Sequence, residues 1–230
     1  MCKHHSSGRI LAASLLHLSI RLRPGRIPPS RLYAGKMARQ IPEKSVAVFC
    51  ASASGARRQY AQVAEELGRA LAERGLGLIF GGGKTGLMGA VAKGALSAGG
   101  YVVGVIPQVL VDLEVAHDGL SELHVTTTMH TRKALMAERA HAFIILPGGY
   151  GTLEEMFEAL AWQTLRIHSK PVILLNVDGF YDALLHFLDV CDREGMLRGN
   201  RGVLLVAHSV DEALRLAELR QPASLAGIGN

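Results

Sequence analysis

The chain has no CxxC pair, no HExxH pattern and no long unbroken apolar run. Each absence removes a class of protein. Three cysteines, Cys2, Cys50 and Cys191, are too few and too scattered for a disulfide framework. They point to a reducing compartment and a cytoplasmic protein. The ten histidines show no metal-ligand spacing, so no metal is expected. The apolar runs are interrupted by Gly, Pro or charge, and "ILAASLLHLSI" is too short to cross a bilayer.

Acid is missing from one region. Residues 1–42 hold eight Lys/Arg and no Asp/Glu, while the rest of the chain holds 17 basic and 20 acidic residues. The formal charge of +5 therefore belongs to this leader and argues against a nucleic-acid-binding face. An Arg- and Ser-rich leader without acid has the composition of an organelle transit peptide. It fits equally well as upstream sequence read from an early start, with Met37 as initiator. A single domain is expected over 43–222, with 223–230 as a tail.

With 49% hydrophobic and 20% charged residues, a globular core can be built. Continuous apolar runs predict strands at 45–51, 76–80, 101–106, 123–127, 142–146, 171–175 and 203–207. Helical spacing predicts helices at 57–74, 86–98, 130–140, 152–166, 180–193 and 210–220. Alternating elements with fully apolar strands predict a doubly wound α/β fold, its parallel sheet covered on both faces. The connection 107–122 follows a strand end, where such folds bind ligands, so it is expected at the rim of a site.

Two glycine-rich turns join strands to helices. In "GGGKTGLMG" (81–89) the Gly-Lys-Thr tail suggests a Walker A loop, but Leu78 stands where the first glycine is required. Gly81, Gly83 and Gly86 match a dinucleotide fingerprint, yet the ribose-binding acid does not end the next strand. A generic anion cradle at a helix N-terminus and a purely steric tight turn remain. The second turn is "PGGYGTLEE" (147–155). Two such turns facing one crevice suit a small phosphorylated ligand better than a long dinucleotide.

The charged residues nearby have structural explanations of their own. Thr152-x-x-Glu155 has the form of a capping box. A helix dipole there would lower the pKa of Glu155. Glu154 and Glu158 have the spacing of a solvated face. Arg132 and Lys133, at a helix start, oppose the dipole and suggest an anionic partner. Arg132 and Glu155 lie on consecutive strand–helix units and can meet across the sheet edge.

"GGGKTGLMG", "MHTRK" and "PGGYGTLEE", in this order and with "FCASASG" and "AWQTLRIHSKPVILLNVDGFYDALL", resemble the Lonely Guy (LOG) family over about residues 45–220. Those proteins are cytokinin-activating phosphoribohydrolases, often labelled lysine decarboxylase-like. The resemblance implies a Rossmann-like fold and a homodimer or an assembly of dimers. It implies hydrolysis of a nucleoside 5′-monophosphate, without a cofactor, to free base and ribose 5-phosphate. It makes Arg132 and Glu155 the catalytic pair. It assigns substrate binding to Gly82, Gly83, Met88, Glu114 and Lys133, and to the turn Gly148, Gly149, Tyr150, Gly151, Thr152, Leu153 and Glu154. Ala51, His141 and Ala161 depart from the family's common residues. A non-catalytic nucleotide or molybdenum-cofactor carrier on the same fold is the alternative. A pyridoxal-phosphate decarboxylase would need a Schiff-base lysine, and neither Lys84 nor Lys133 has that setting.

Overall fold

Successive residues of a strand point to opposite sides of the sheet, so a strand that is apolar throughout needs cover on both. In β1 (Ser45–Phe49) Val46 and Val48 enter one core while Ala47 and Phe49 enter a second, and all four are buried. The computed structural model describes residues 40–111, 117 and 119–219. The same division runs through β2 (Gly77–Phe80), β3 (Val102–Pro107), β5 (Ala142–Ile145) and β6 (Val172–Leu175). β4 (Glu122–Thr126) and β7 (Leu204–Ala207) form the edges.

The first core is covered by α1 (Arg58–Glu73), α2 (Gly86–Ser97) and α7 (Val210–Leu219). The second is covered by α4 (Met129–Arg139), α5 (Tyr150–Thr164) and α6 (Asp182–Arg193). A short α3 (Gln108–Val111) follows β3. The close crossing of α1 and α2 depends on glycine: a Cβ on Gly68 would meet the Val91 carbonyl at 2.0 Å, and one on Gly94 the Glu65 carbonyl at 2.0 Å.

All seven strands are parallel, in the order β4-β3-β2-β1-β5-β6-β7. The chain winds outward from β1 to β4, then crosses back to lay β5 on the other side of β1. Connections leaving β1 and β5 therefore diverge, which opens a crevice at their carboxyl ends. Every expected strand and helix forms, with boundaries within two residues of the expected ones. α3 and the 3₁₀ turns Val177–Gly179 and Arg201–Val203 are too short to show a periodic pattern. Residues 1–39, 112–116, 118 and 220–230 lie outside the described residues, and with them the expected leader up to residue 39 and the expected tail. Among the described residues no helix is long and apolar enough to cross a membrane.

At the β4 edge Glu122 accepts two hydrogen bonds from Arg139, at 2.7 and 2.8 Å, and one from the Tyr101 hydroxyl at 2.8 Å. The Arg139 bonds are the main cause that lowers the Glu122 carboxyl from 4.5 to about 2, with burial opposing and Tyr101 and His124 assisting. A carboxyl depressed on folding stabilises fully above its unfolded pKa and loses that contribution as pH falls through the folded one. Glu122→Gln should therefore destabilise the protein at neutral pH. Urea unfolding should show the gap to the unmodified protein closing from pH 4.5 towards about 2.

Candidate active site

The β4–α4 junction sets the first half of the site. Thr128 caps α4: its hydroxyl accepts from Thr131 N–H at 3.1 Å, and Thr131 Oγ1 accepts from Thr128 N–H at 3.2 Å. This reciprocal box fixes the first turn, and Arg132 follows directly. Arg132 is buried, at 8% exposure. Its Nε donates to the Val105 carbonyl within β3, 3.0 Å away. Its Nη1 lies 2.9 Å from Glu155 Oε1. Gly81 makes room for it, since a Cβ there would sit 2.4 Å from Arg132 Nη2 and 2.8 Å from Met88 Sδ. Sequence reasoning met Gly81 only as part of a dinucleotide fingerprint and did not count it among the expected site residues.

α5 supplies the second half and corrects two expectations. The helix begins at Tyr150 with Gly149 as N-cap and no side-chain cap. Thr152 is thus the third helical residue and Glu155 the sixth, so they form no capping box. Glu155 is too deep in the helix to feel the dipole strongly, because that effect fades within the first turn. Burial instead raises its carboxyl above the ordinary 4.5, with the Arg132 guanidinium opposing the rise. The first intrahelical bond runs from Leu153 N–H to Gly149 O at 3.0 Å. The amides of Tyr150, Gly151 and Thr152 have no intrahelical acceptor and stand at the cleft.

Lys133 finds its anionic partners within the protein. Its ammonium pairs with Glu154 and, at 3.1 Å, with Glu158. Burial alone would lower its pKa, but the bonds to both carboxylates outweigh burial and raise it. Glu154 and Glu158 therefore act as a clamp between α4 and α5, where a simple solvated face was expected.

The first glycine turn plays a steric part. The Ala51 carbonyl accepts from the Leu87 and Met88 amides at 3.0 and 3.3 Å, so protein already occupies the α2 N-terminus. Gly82 (φ 80°) and Gly83 are buried behind the cleft, with Gly82 packed against Gly104. Lys84 is exposed and off the cleft. An anion cradle of α2 amides is therefore not what this turn builds.

The cleft measures about 400 Å³ and opens at the switch point. Of the expected residues, Met88, Arg132, Gly149, Tyr150, Gly151 and Thr152 line it, together with Glu154 and Glu155. Gly148, Leu153 and Lys133 stand behind the wall, and Gly148 is packed so closely that a Cβ would lie 2.1 Å from Thr152 Oγ1. Glu114 falls outside the described residues. Cys50, Ser52, Leu110 and Met129 also line the cleft; the first two lie in "FCASASG" and Met129 in "MHTRK", yet none was assigned a site role, and Leu110 carried no signal beyond its place after a strand. Of the three departures, only Ala51 reaches the cleft. His141 accepts from Ser45 N–H at 3.2 Å at the amino ends of the strands, the opposite edge of the sheet. Ala161 lines a separate, more apolar cleft of about 320 Å³ between α5 and α6.

A doubly wound parallel sheet with a buried Arg–Glu pair at its switch point defines a Rossmann-like α/β protein. Solved structures agree on the class. The Moco carrier protein from Chlamydomonas reinhardtii is 26% identical, with a TM-score of 0.57 over 75% of this chain and 93% of its own. The molybdenum cofactor binding protein from Rippkaea orientalis, 24% identical at a TM-score of 0.57, shares the fold. The family described as "Possible lysine decarboxylase" matches residues 88–217. The cytokinin riboside 5′-monophosphate phosphoribohydrolase of Rhodococcoides fascians is 47% identical over 187 residues, 80% of this chain and 93% of its own. The probable enzyme LOGL9 of Oryza sativa subsp. japonica is 49% identical over 164 residues, covering 71% and 72% of the two chains. This chain belongs to that LOG family of phosphoribohydrolases.

Removing one partner of a buried ion pair strands the other charge, which costs about 3–5 kcal/mol. Arg132→Ala should lower stability by that order, and Glu155 should then titrate at a still higher pH. Chemical denaturation and carboxyl NMR titration measure the two effects.

Proposed function

We propose that this protein hydrolyses the N-glycosidic bond of an adenine-type nucleoside 5′-monophosphate, AMP or an N6-modified relative, giving free base and ribose 5-phosphate. The observation that carries the reading is the buried Arg132–Glu155 pair, 2.9 Å apart, in a cleft walled by open α5 amides. The names of the LOG relatives support the substrate class.

Breaking the bond between C1′ and the base nitrogen builds positive charge on the ribose. A Glu155 carboxylate beside C1′ stabilises that charge and orients the attacking water. The Arg132 guanidinium holds the carboxylate in place and favours its ionised form. The amides of Tyr150, Gly151 and Thr152 receive the 5′-phosphate at the α5 N-terminus. Phosphate binding energy then places the sugar against Glu155. Met88 also lines the cleft and is read as a substrate contact, and the resemblance implies the same role for Glu114. Gly82, Gly83, Lys133, Gly148 and Leu153 act through the walls they support. Among the described residues lining the cleft there is no lysine for the chemistry of a lysine decarboxylase: Lys84 is off the cleft and Lys133 is held by two carboxylates.

The reading includes a cytoplasmic location, in keeping with the free thiols of Cys50 and Cys191. It also includes a homodimer or an assembly of dimers. Tyr150, Phe157 and Leu165 leave apolar surface exposed along α5, beside Ile167, and such a patch favours association. Light scattering should return a dimer or a multiple of one, and Leu165→Glu should shift it towards monomer.

The protein should release base and ribose 5-phosphate from AMP and from N6-isopentenyl-AMP. A carrier would bind nucleotide and release neither product. Glu155→Gln should lower kcat by at least ~10²-fold while the protein stays folded. The working carboxyl must be ionised and its pKa is raised, so kcat should fall with acid along a limb above the ordinary 4.5. A limb at or below 4.5 would count against Glu155 as the titrating group.

A further inference from the structure

At the end of β5 the sheet must release the chain so that it can turn into α5. The β5 ladders close with the pairs Phe49↔Ile145 and Ile145↔Leu174. The carbonyls beyond them are buried and still need donors. Pro147 O takes the Ala51 N–H at 3.2 Å. Leu146 O takes the Tyr181 hydroxyl at 2.8 Å, with both residues buried. Tyr181 does not belong to the cleft. It comes from the turn between β6 and α6, behind the wall.

That turn is itself tightly held. The Asn176 side chain accepts from Tyr181 N–H at 2.8 Å and donates to Asp182 at 2.7 Å. Asp178 and Gly179 both adopt positive φ, 50° and 69°. Phe180 meets Tyr181 edge-on at 4.7 Å and Tyr60 at 5.5 Å. Arg57 reaches Asp178 at 3.9 Å. The turn thus braces the start of α1 as well as the Leu146–Gly149 bend, the two connections that leave the strands flanking the switch point.

We propose that Tyr181 is a positioning residue for the anion seat at the α5 N-terminus, holding the Leu146–Gly149 bend from behind. The inference rests on the reading of that N-terminus as the phosphate site. Gly149 is the helix cap and the three open amides follow it, so a small rotation at Leu146 redirects all of them. Burial raises the hydroxyl's pKa, and the Gly148 N–H works against the rise, so the group remains a donor at physiological pH. Phenylalanine would keep the ring packing and release the Leu146 carbonyl and the Gly148 N–H, both within the bend.

Calorimetry with ribose 5-phosphate, and separately with adenine, tests the proposal on the full chain. Tyr181→Phe should bind ribose 5-phosphate roughly tenfold more weakly, the change a single hydrogen bond commands. Adenine affinity should not change, and KM for AMP should rise more than kcat falls. A lower melting temperature with unchanged ribose 5-phosphate affinity would make Tyr181 structural only and overturn the proposal. If the unmodified protein binds no ribose 5-phosphate, the phosphate seat itself fails and the proposal falls with it. Should Tyr181→Phe not fold, Phe180→Leu removes the half-exposed ring and keeps the hydroxyl. A smaller loss in the same direction supports the proposal, and unchanged affinity overturns it.

Discussion

Two opposite charges cannot leave water at an arbitrary place, because desolvation outweighs their attraction unless geometry and further hydrogen bonds are right. Arg132 and Glu155 meet this condition across two helices, and much of the surrounding structure serves it. The Thr128 cap fixes where α4 begins. The Val105 carbonyl takes the guanidinium Nε. Gly81 removes the Cβ that would collide with Nη2. Lys133 and its two glutamates repeat the α4–α5 contact nearer to solvent. The pair therefore locks the starts of two helices to each other, and with them the wall of the cleft.

The two glycine turns show how one local pattern yields two different structures. Both follow a strand and open a helix. At α2 the Ala51 carbonyl takes the first amides, and the glycines serve close packing. At α5 no group among the described residues takes the first amides, and the glycines leave them accessible. The difference lies in the β1–α1 connection, which reaches one helix start and not the other.

Strands and helices were legible because burial on two faces leaves unbroken apolar runs and the helices keep their periodicity. The meeting of Arg132 with Glu155 was legible from their places on consecutive units. The capping box was assigned to Thr152 and Glu155 because a Thr-x-x-Glu spacing cannot say where a helix begins. The true box, Thr128 with Thr131, uses a second threonine in place of the acid. Burial of Glu155, which reverses the expected direction of its pKa shift, depends on how α4 and α5 pack and leaves no mark in local sequence. Gly81, Cys50 and Leu110 reach the cleft for the same kind of non-local reason.

The commitment of both cations to protein carboxylates also shapes how a ligand would approach. Arg132 is the one cation among the described residues lining the cleft, and Glu154 and Glu155 lie beside it. The cleft therefore carries no surplus of positive charge to draw a dianion from a distance. Attraction is left to oriented amides, whose field acts over a few ångströms and is hardly touched by mobile ions. Such a site discriminates at contact, and changes in ionic strength should alter its capture of nucleotide far less than in a site steered by free lysines.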